Sequence, residues 1–104
     1  MEGRSVHEVT LRRAGKNFDV AYTAEGQLVE TETPLSGHEL PPAVSRAVAA
    51  RHPDLRLVKA EEVRPARGGP FYEVSLIAKD VSVKSRYDRT GWLVSETRMQ
   101  SSKR

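Results

Sequence analysis

Apolar residues recur at every second position through most of this chain. In the first third Val9 and Leu11 alternate with polar neighbours, as do Phe18, Val20 and Tyr22; in the last third Tyr72, Val74 and Leu76 do the same, followed by Val81, Val83 and Tyr87. A period of two sends successive side chains to opposite faces, so these runs predict strands with one buried face. Ala14-Gly15-Lys16-Asn17 and Ala78-Lys79-Asp80 are short and polar enough to turn hairpins between them. The middle of the chain has another texture. Pro41 and Pro42 suit a first helical turn, the run to Arg51 is rich in alanine, and Leu40, Val44, Ala47 and Val48 share one helical face, which predicts a short amphipathic helix. Pro53 ends it, and Leu55 to Arg64 reads as a further strand before the loop from Pro65 to Pro70. The resulting order is βββ-α-ββββ. It predicts an α+β fold, an antiparallel β-sheet of about seven strands with one short helix packed on one face.

Displacing the chain against itself by 65 residues brings seven identical pairs together without a gap: Glu8 and Glu73, Val9 and Val74, Leu11 and Leu76, Tyr22 and Tyr87, Gly26 and Gly91, Leu28 and Leu93, Val29 and Val94. Self-similarity at a fixed offset implies a duplicated supersecondary unit, so both copies are expected to fold alike. Thr23 to Gly26 and Asp88 to Gly91 then form a second turn in each copy, a type I turn followed by a left-handed residue, where glycine carries no Cβ penalty. On this reading residues 1–104 are a single domain, with a truncated first unit of three strands at 5–35, a second unit of helix plus four strands at 40–98, and a flexible tail at 99–104. Met1 aligns with Ala66, so the counterpart of the helix would precede the chain. Val9, Leu11, Phe18 and Val20 are therefore expected to form an uncovered apolar patch on the order of a few hundred Å2, more than soluble monomers usually leave bare. Self-association through the first-unit strands is one way to cover it.

Composition narrows the chemistry. A chain of 104 residues fits one domain with one modest core, and without cysteine it has no disulfide, no thiolate nucleophile and no Cys-based zinc site. No apolar run is long enough to cross a bilayer as a helix. The net charge of +3 divides unevenly: residues 1–40 carry 4 basic and 7 acidic side chains, residues 41–104 carry 13 and 7. Arg46, Arg51, Arg56, Lys59, Arg64 and Arg67 make a basic stripe, yet Asp54, Glu61 and Glu62 interrupt it and no aromatic pair or helix-turn-helix accompanies it, which disfavours nucleic acid.

Catalytic and metal patterns are weak. Ser36-Gly37-His38-Glu39 places a hydroxyl, an imidazole and a carboxylate close in sequence, but a triad is assembled in space on rigid supports, and here Ser and Glu suit turns and caps. His7, His38 and His52 lie far apart and read as surface histidines. Asp88 is a single acid where a calcium loop needs several oxygen donors. Glu30 with Glu32 and Glu61 with Glu62 read as solvated strand faces. No catalytic, cofactor-binding or metal residue is assigned, and no cofactor is expected.

The order Leu40-Pro41, short helix, Arg51-His52-Pro53, a strand into Lys59-Ala60-Glu61-Glu62-Val63, then Tyr72-Glu73-Val74 and Tyr87-Asp88 with Gly91, Leu93 and Val94, resembles the PepSY-like, β-lactamase-inhibitor-like family. The resemblance covers residues 40–98, and residues 7–32 repeat its C-terminal part. It implies a helix on one face of a sheet, an exported bacterial protein, periplasmic or secreted once a signal peptide is removed, and a non-enzymatic role in binding or inhibiting proteins at the cell envelope. The sheet face opposite the helix should present Glu8, Thr10, Arg12, Asp19, Ala21 and Thr23 from the first unit and Glu73, Ser75, Lys84 and Arg86 from the second. A protein partner is expected there, with Trp92, Arg86, Lys84, Glu73, Arg12 and Asp19 as the docking residues, since Trp and Arg concentrate binding energy. The alternative is a structural or assembly domain, completed by a second copy or by upstream residues.

Overall fold

The structure is a computed structural model that describes residues 6–100. Alternation of apolar and polar residues produces β1 (Val6–Arg13), β2 (Lys16–Thr23), β3 (Leu28–Leu35), β4 (Arg56–Pro65), β5 (Phe71–Ala78), β6 (Val81–Asp88) and β7 (Leu93–Gln100). They form one seven-stranded sheet in chain order, every neighbour antiparallel. β3 and β4 are adjacent although the helix α1 (Pro42–Arg51) lies between them in sequence, so α1 is a detour within a meander. The expected α+β architecture is the one observed. Met99 and Gln100, read from sequence as the start of a tail, instead belong to β7 and pair with Ser82 and Val81, because β6 offers hydrogen-bonding partners along the full strand; residues 101–104 lie outside the described residues.

The core sits between α1 and the later strands. Val44 of the helix, Tyr72, Val74 and Leu76 of β5, Val83 and Tyr87 of β6 and Ala60 of β4 are all buried in one cluster with Leu40. Period-two alternation puts the strand members on one face, and each fully buried Val or Leu contributes roughly 1.5–3 kcal/mol. The turn from β6 to β7 brings Gly91 under the start of the helix at φ +90°, where an added Cβ would stand 2.6 Å from the Ala43 carbonyl oxygen. Glycine is thus required there twice over, by its conformation and by the close approach of α1. Asp88 closes the same turn, its Oδ1 accepting from Thr90 N–H at 2.8 Å, Thr90 Oγ1 at 2.6 Å and Trp92 N–H at 3.1 Å.

The end of α1 is held by Glu96 of β7. Its Oε1 accepts from Arg51 Nε at 3.0 Å and from Ser85 Oγ at 2.7 Å, and contacts His52 Nε2 at 2.9 Å. His52 is consequently no surface histidine: its side chain is 10% exposed, and with Arg51 it ties the helix to the sheet. These bonds, led by that from Arg51, hold the Glu96 carboxyl down at about 2. The loop before α1 is a one-turn 3-10 helix, Gly37–Glu39, closed by a capping box in which Glu39 accepts the Ser36 N–H at 2.8 Å. Ser36 Oγ does touch His38 at 3.2 Å, but Glu39 bonds Ser36 and not the imidazole, so the three residues form a cap and no Ser-His-acid relay.

Candidate protein-docking face

The face opposite α1 is built by strand register. Asp19 lies opposite Glu32, Glu32 opposite Val63, Glu61 opposite Glu73, and Glu73 opposite Arg86. Alternation therefore sends Asp19, Glu32, Glu61, Glu73 and Arg86 to the same side, joined by Glu8, Glu30 and Lys84. Carboxylate oxygens of Glu32, Glu61 and Glu73 lie within 4.8 Å of one another, and so do those of Glu8, Asp19 and Glu32. Glu32 is the corner shared by both triplets. Glu61 is only 7% exposed, and Val63 beside it is fully buried although it points away from the helix. The face is thus not a thin solvated layer, because long side chains cover its centre.

Like charges this close repel by about 3 kcal/mol per pair at the effective dielectric of a protein surface. The strain is relieved by protonation. Burial, then a hydrogen bond with Glu30, then the charges of Glu61, Glu30 and Glu73 push the Glu32 carboxyl up to about 7. Near neutral pH the Glu32 carboxyl therefore keeps its proton in a substantial fraction of molecules.

Cations line one side of this acidic centre. Arg86 donates to Glu73 Oε2 from Nε at 3.2 Å and from Nη2 at 3.0 Å, reaches Glu30 at 4.0 Å, and lies 5.7 Å from the centroid of the Phe71 ring. Lys84 approaches Glu73 at 3.9 Å, and Lys59 approaches Glu61 at 3.6 Å. All-oxygen triplets suit a hard cation by ligand type, but three carboxylates fall short of the six to eight oxygens calcium takes, and Arg86 already engages Glu73.

Of the docking residues expected from sequence, Glu73, Lys84 and Arg86 meet in one ion-paired group, and Asp19 reaches that group through Glu32. Arg12 stands apart near the β1–β2 turn, donating to Asn17 Oδ1 at 3.2 Å, while Asp19 accepts from Thr10 Oγ1 at 2.7 Å. Trp92 sits in the β6–β7 turn at the end of the sheet, 72% exposed. Glu30, Glu32 and Glu61 are the residues that sequence reasoning left as solvated faces. Glu62, paired in sequence with Glu61, points the other way, where it binds Arg64 at 3.1 Å and the Tyr72 hydroxyl at 3.3 Å. The basic stripe is likewise dispersed, since Arg51 and Arg64 are each committed to a glutamate.

No family model matches the chain, and no curated protein does. Solved structures of the same fold do. A DUF2874 family protein from Bacteroides ovatus superposes with a TM-score of 0.80 at 18% identity, over 89% of this chain and 69% of that one. A BLIP-like protein from Bacteroides fragilis gives 0.79 at 19% identity, over 99% of this chain and 74% of that one. A candidate periplasmic protein from Bacteroides eggerthii gives 0.81 at 17% identity, over 91% and 71%. The chain therefore has a BLIP-like fold. Among the described residues no helix is long and apolar enough to cross a membrane.

Proposed function

We propose that this chain is a non-enzymatic protein-docking module of PepSY-like type, acting at the bacterial cell envelope, whose partner lies across the open face of the sheet. The observation that carries the reading is the convergence of Asp19, Glu32, Glu61 and Glu73, with Glu30 beside them, around a carboxyl held at about 7. A fold that crowds carboxylates at a repulsive cost has a surface that a cationic partner stabilises, because the partner supplies the charge the face lacks. Arg86 and Lys84 at the edge fix the orientation, and Trp92 at the end of the sheet is a free aromatic anchor. The BLIP-like and periplasmic neighbours support a binding module in the envelope, and they are the reason to include a β-lactamase among the protein probes.

The test is a titration with a fluorescent Lys/Arg decapeptide, in parallel with a β-lactamase inhibition assay. Binding that tightens from pH 6 to pH 8 and is lost in Glu61→Gln is expected, since full occupancy requires Glu32 to ionise. Peptide affinity indifferent to both pH and Glu61→Gln, with no inhibition, would remove this reading.

A further inference from the structure

Among the described residues, Lys59, Lys84 and Arg86 contact the acidic centre of the open face, and they do so in two ways. Lys59 stands 3.6 Å from Glu61 and Lys84 3.9 Å from Glu73, and both side chains stay at the rim, 63% exposed. Arg86 is drawn in. Its side chain is 26% exposed, its Nε and Nη2 donate to Glu73 Oε2 at 3.2 and 3.0 Å, and Nη2 reaches Glu30 Oε1 at 4.0 Å. Glu73 is on β5 and Glu30 on β3, so a guanidinium that joins them lies toward β4, the strand between. There Val63 pairs with Phe71, and the Arg86 guanidinium carbon is 5.7 Å from the centroid of the Phe71 ring. Val63 is 0% exposed on this solvent-side face, which agrees with a side chain laid across it.

An aromatic wall, an apolar floor and carboxylates around the edge suit a planar cation that stacks and donates from two nitrogens at once. A guanidinium does both and is weakly hydrated, whereas an ammonium is a compact, strongly hydrated charge. The chain's own side chains sort in that order, with both lysines left at the rim and the arginine inside. Arg86 does not satisfy the acid around it, because it hydrogen-bonds Glu73 and not Glu32 or Glu61, whose carboxylate oxygens lie within 4.8 Å of those of Glu73. Building on the docking face proposed above, we infer that Arg86 is a tethered stand-in: in the free protein it fills a guanidinium seat made by Glu73, Glu30, Val63 and Phe71, and an arginine side chain of the partner displaces it on docking. Arg86 is fixed to the same sheet and competes at high effective concentration, so a partner meets only the fraction of molecules whose seat is open. The exchange places one guanidinium of the partner at one point of the face, which is how Arg86 orients it.

The experiment titrates two fluorescein-labelled decapeptides, one alternating arginine with serine and one alternating lysine with serine, into the full chain at pH 8. Wild type should bind the arginine peptide more tightly. Arg86→Lys leaves the net charge unchanged, yet it should tighten the arginine peptide about tenfold, as for a seat that Arg86 fills in roughly nine molecules of ten, and leave the lysine peptide nearly unchanged. Arg86→Ala should tighten the arginine peptide at least as much, and Lys84→Ala, which removes a charge beside the same glutamate, should do less. Phe71→Leu added to Arg86→Lys should erase the preference for arginine. Because Arg86→Lys keeps the charge beside Glu73, its thermal midpoint should stay close to that of wild type, which separates an opened seat from lost folding. Affinity for the arginine peptide that is unchanged or lower in Arg86→Lys overturns the proposal, as does equal binding of both peptides by wild type, and either result leaves cationic docking on the open face standing. Binding of neither peptide by wild type or any variant overturns both.

Discussion

Replacing Glu32 with glutamine should make the protein more stable, by an amount that grows as pH rises from 4.5 and levels off above about 7. The folded state holds the Glu32 proton up to about 7, against an ordinary value of 4.5, so between those values the native chain binds more protons than the unfolded one. Stability from this group is complete below 4.5 and is lost as pH rises through about 7. A shift of this size corresponds to about 3 kcal/mol at 1.36 kcal/mol per pH unit, which the partial exposure of Glu32 reduces to about 1–2 kcal/mol. Glutamine imitates the protonated acid, keeps a donor for Glu30, and never ionises. Urea unfolding followed by circular dichroism at pH 5, 6, 7 and 8 should give near-equal midpoints for wild type and Glu32→Gln at pH 5 and a widening advantage for the variant by pH 8. Glu96, held at about 2, does not titrate in this window and cannot produce the divergence. A difference that is constant with pH, or a variant weaker at pH 8, would show that the carboxylates do not converge as described.

Gly91→Ala should destabilise more than Gly26→Ala, since both strain a positive φ by about 1 kcal/mol but only Gly91 must also move the Ala43 carbonyl; equal denaturant midpoints would refute the helix contact. Glu96→Gln should cost about 2 kcal/mol at pH 7, and the cost should shrink as pH falls toward about 2, because a depressed carboxyl contributes only while ionised; a pH-independent loss measured by unfolding would assign it to packing instead. Leu76→Asp, 1% exposed in the core, should prevent folding, and a cooperative soluble variant in calorimetry would contradict the assignment of strand faces.

The strands and the two glycine turns were legible because their signals are local. Alternation at Tyr72, Val74 and Leu76 depends on neighbours two residues away, and Gly91 marks its turn by itself. The acidic centre was not legible, because it arises from register between strands distant in sequence. Glu32 of β3 meets Glu61 of β4 only after the chain has passed through α1, and a slip of one residue would exchange Glu61 for Glu62 on that face. His52 was misread for a related reason: its partner Glu96 lies 44 residues away, and nothing beside His52 in sequence announces burial.

The docking role of the open face is most directly tested by amide shift mapping of the 15N-labelled chain with the Lys/Arg decapeptide at pH 8. Perturbations should gather on β3, β4 and β5 around Glu30, Glu32, Glu61 and Glu73, and should fade at pH 6 as Glu32 retains its proton. Shifts confined to the helix-bearing face, or a pattern spread evenly over the acidic residues of the whole chain, would contradict it.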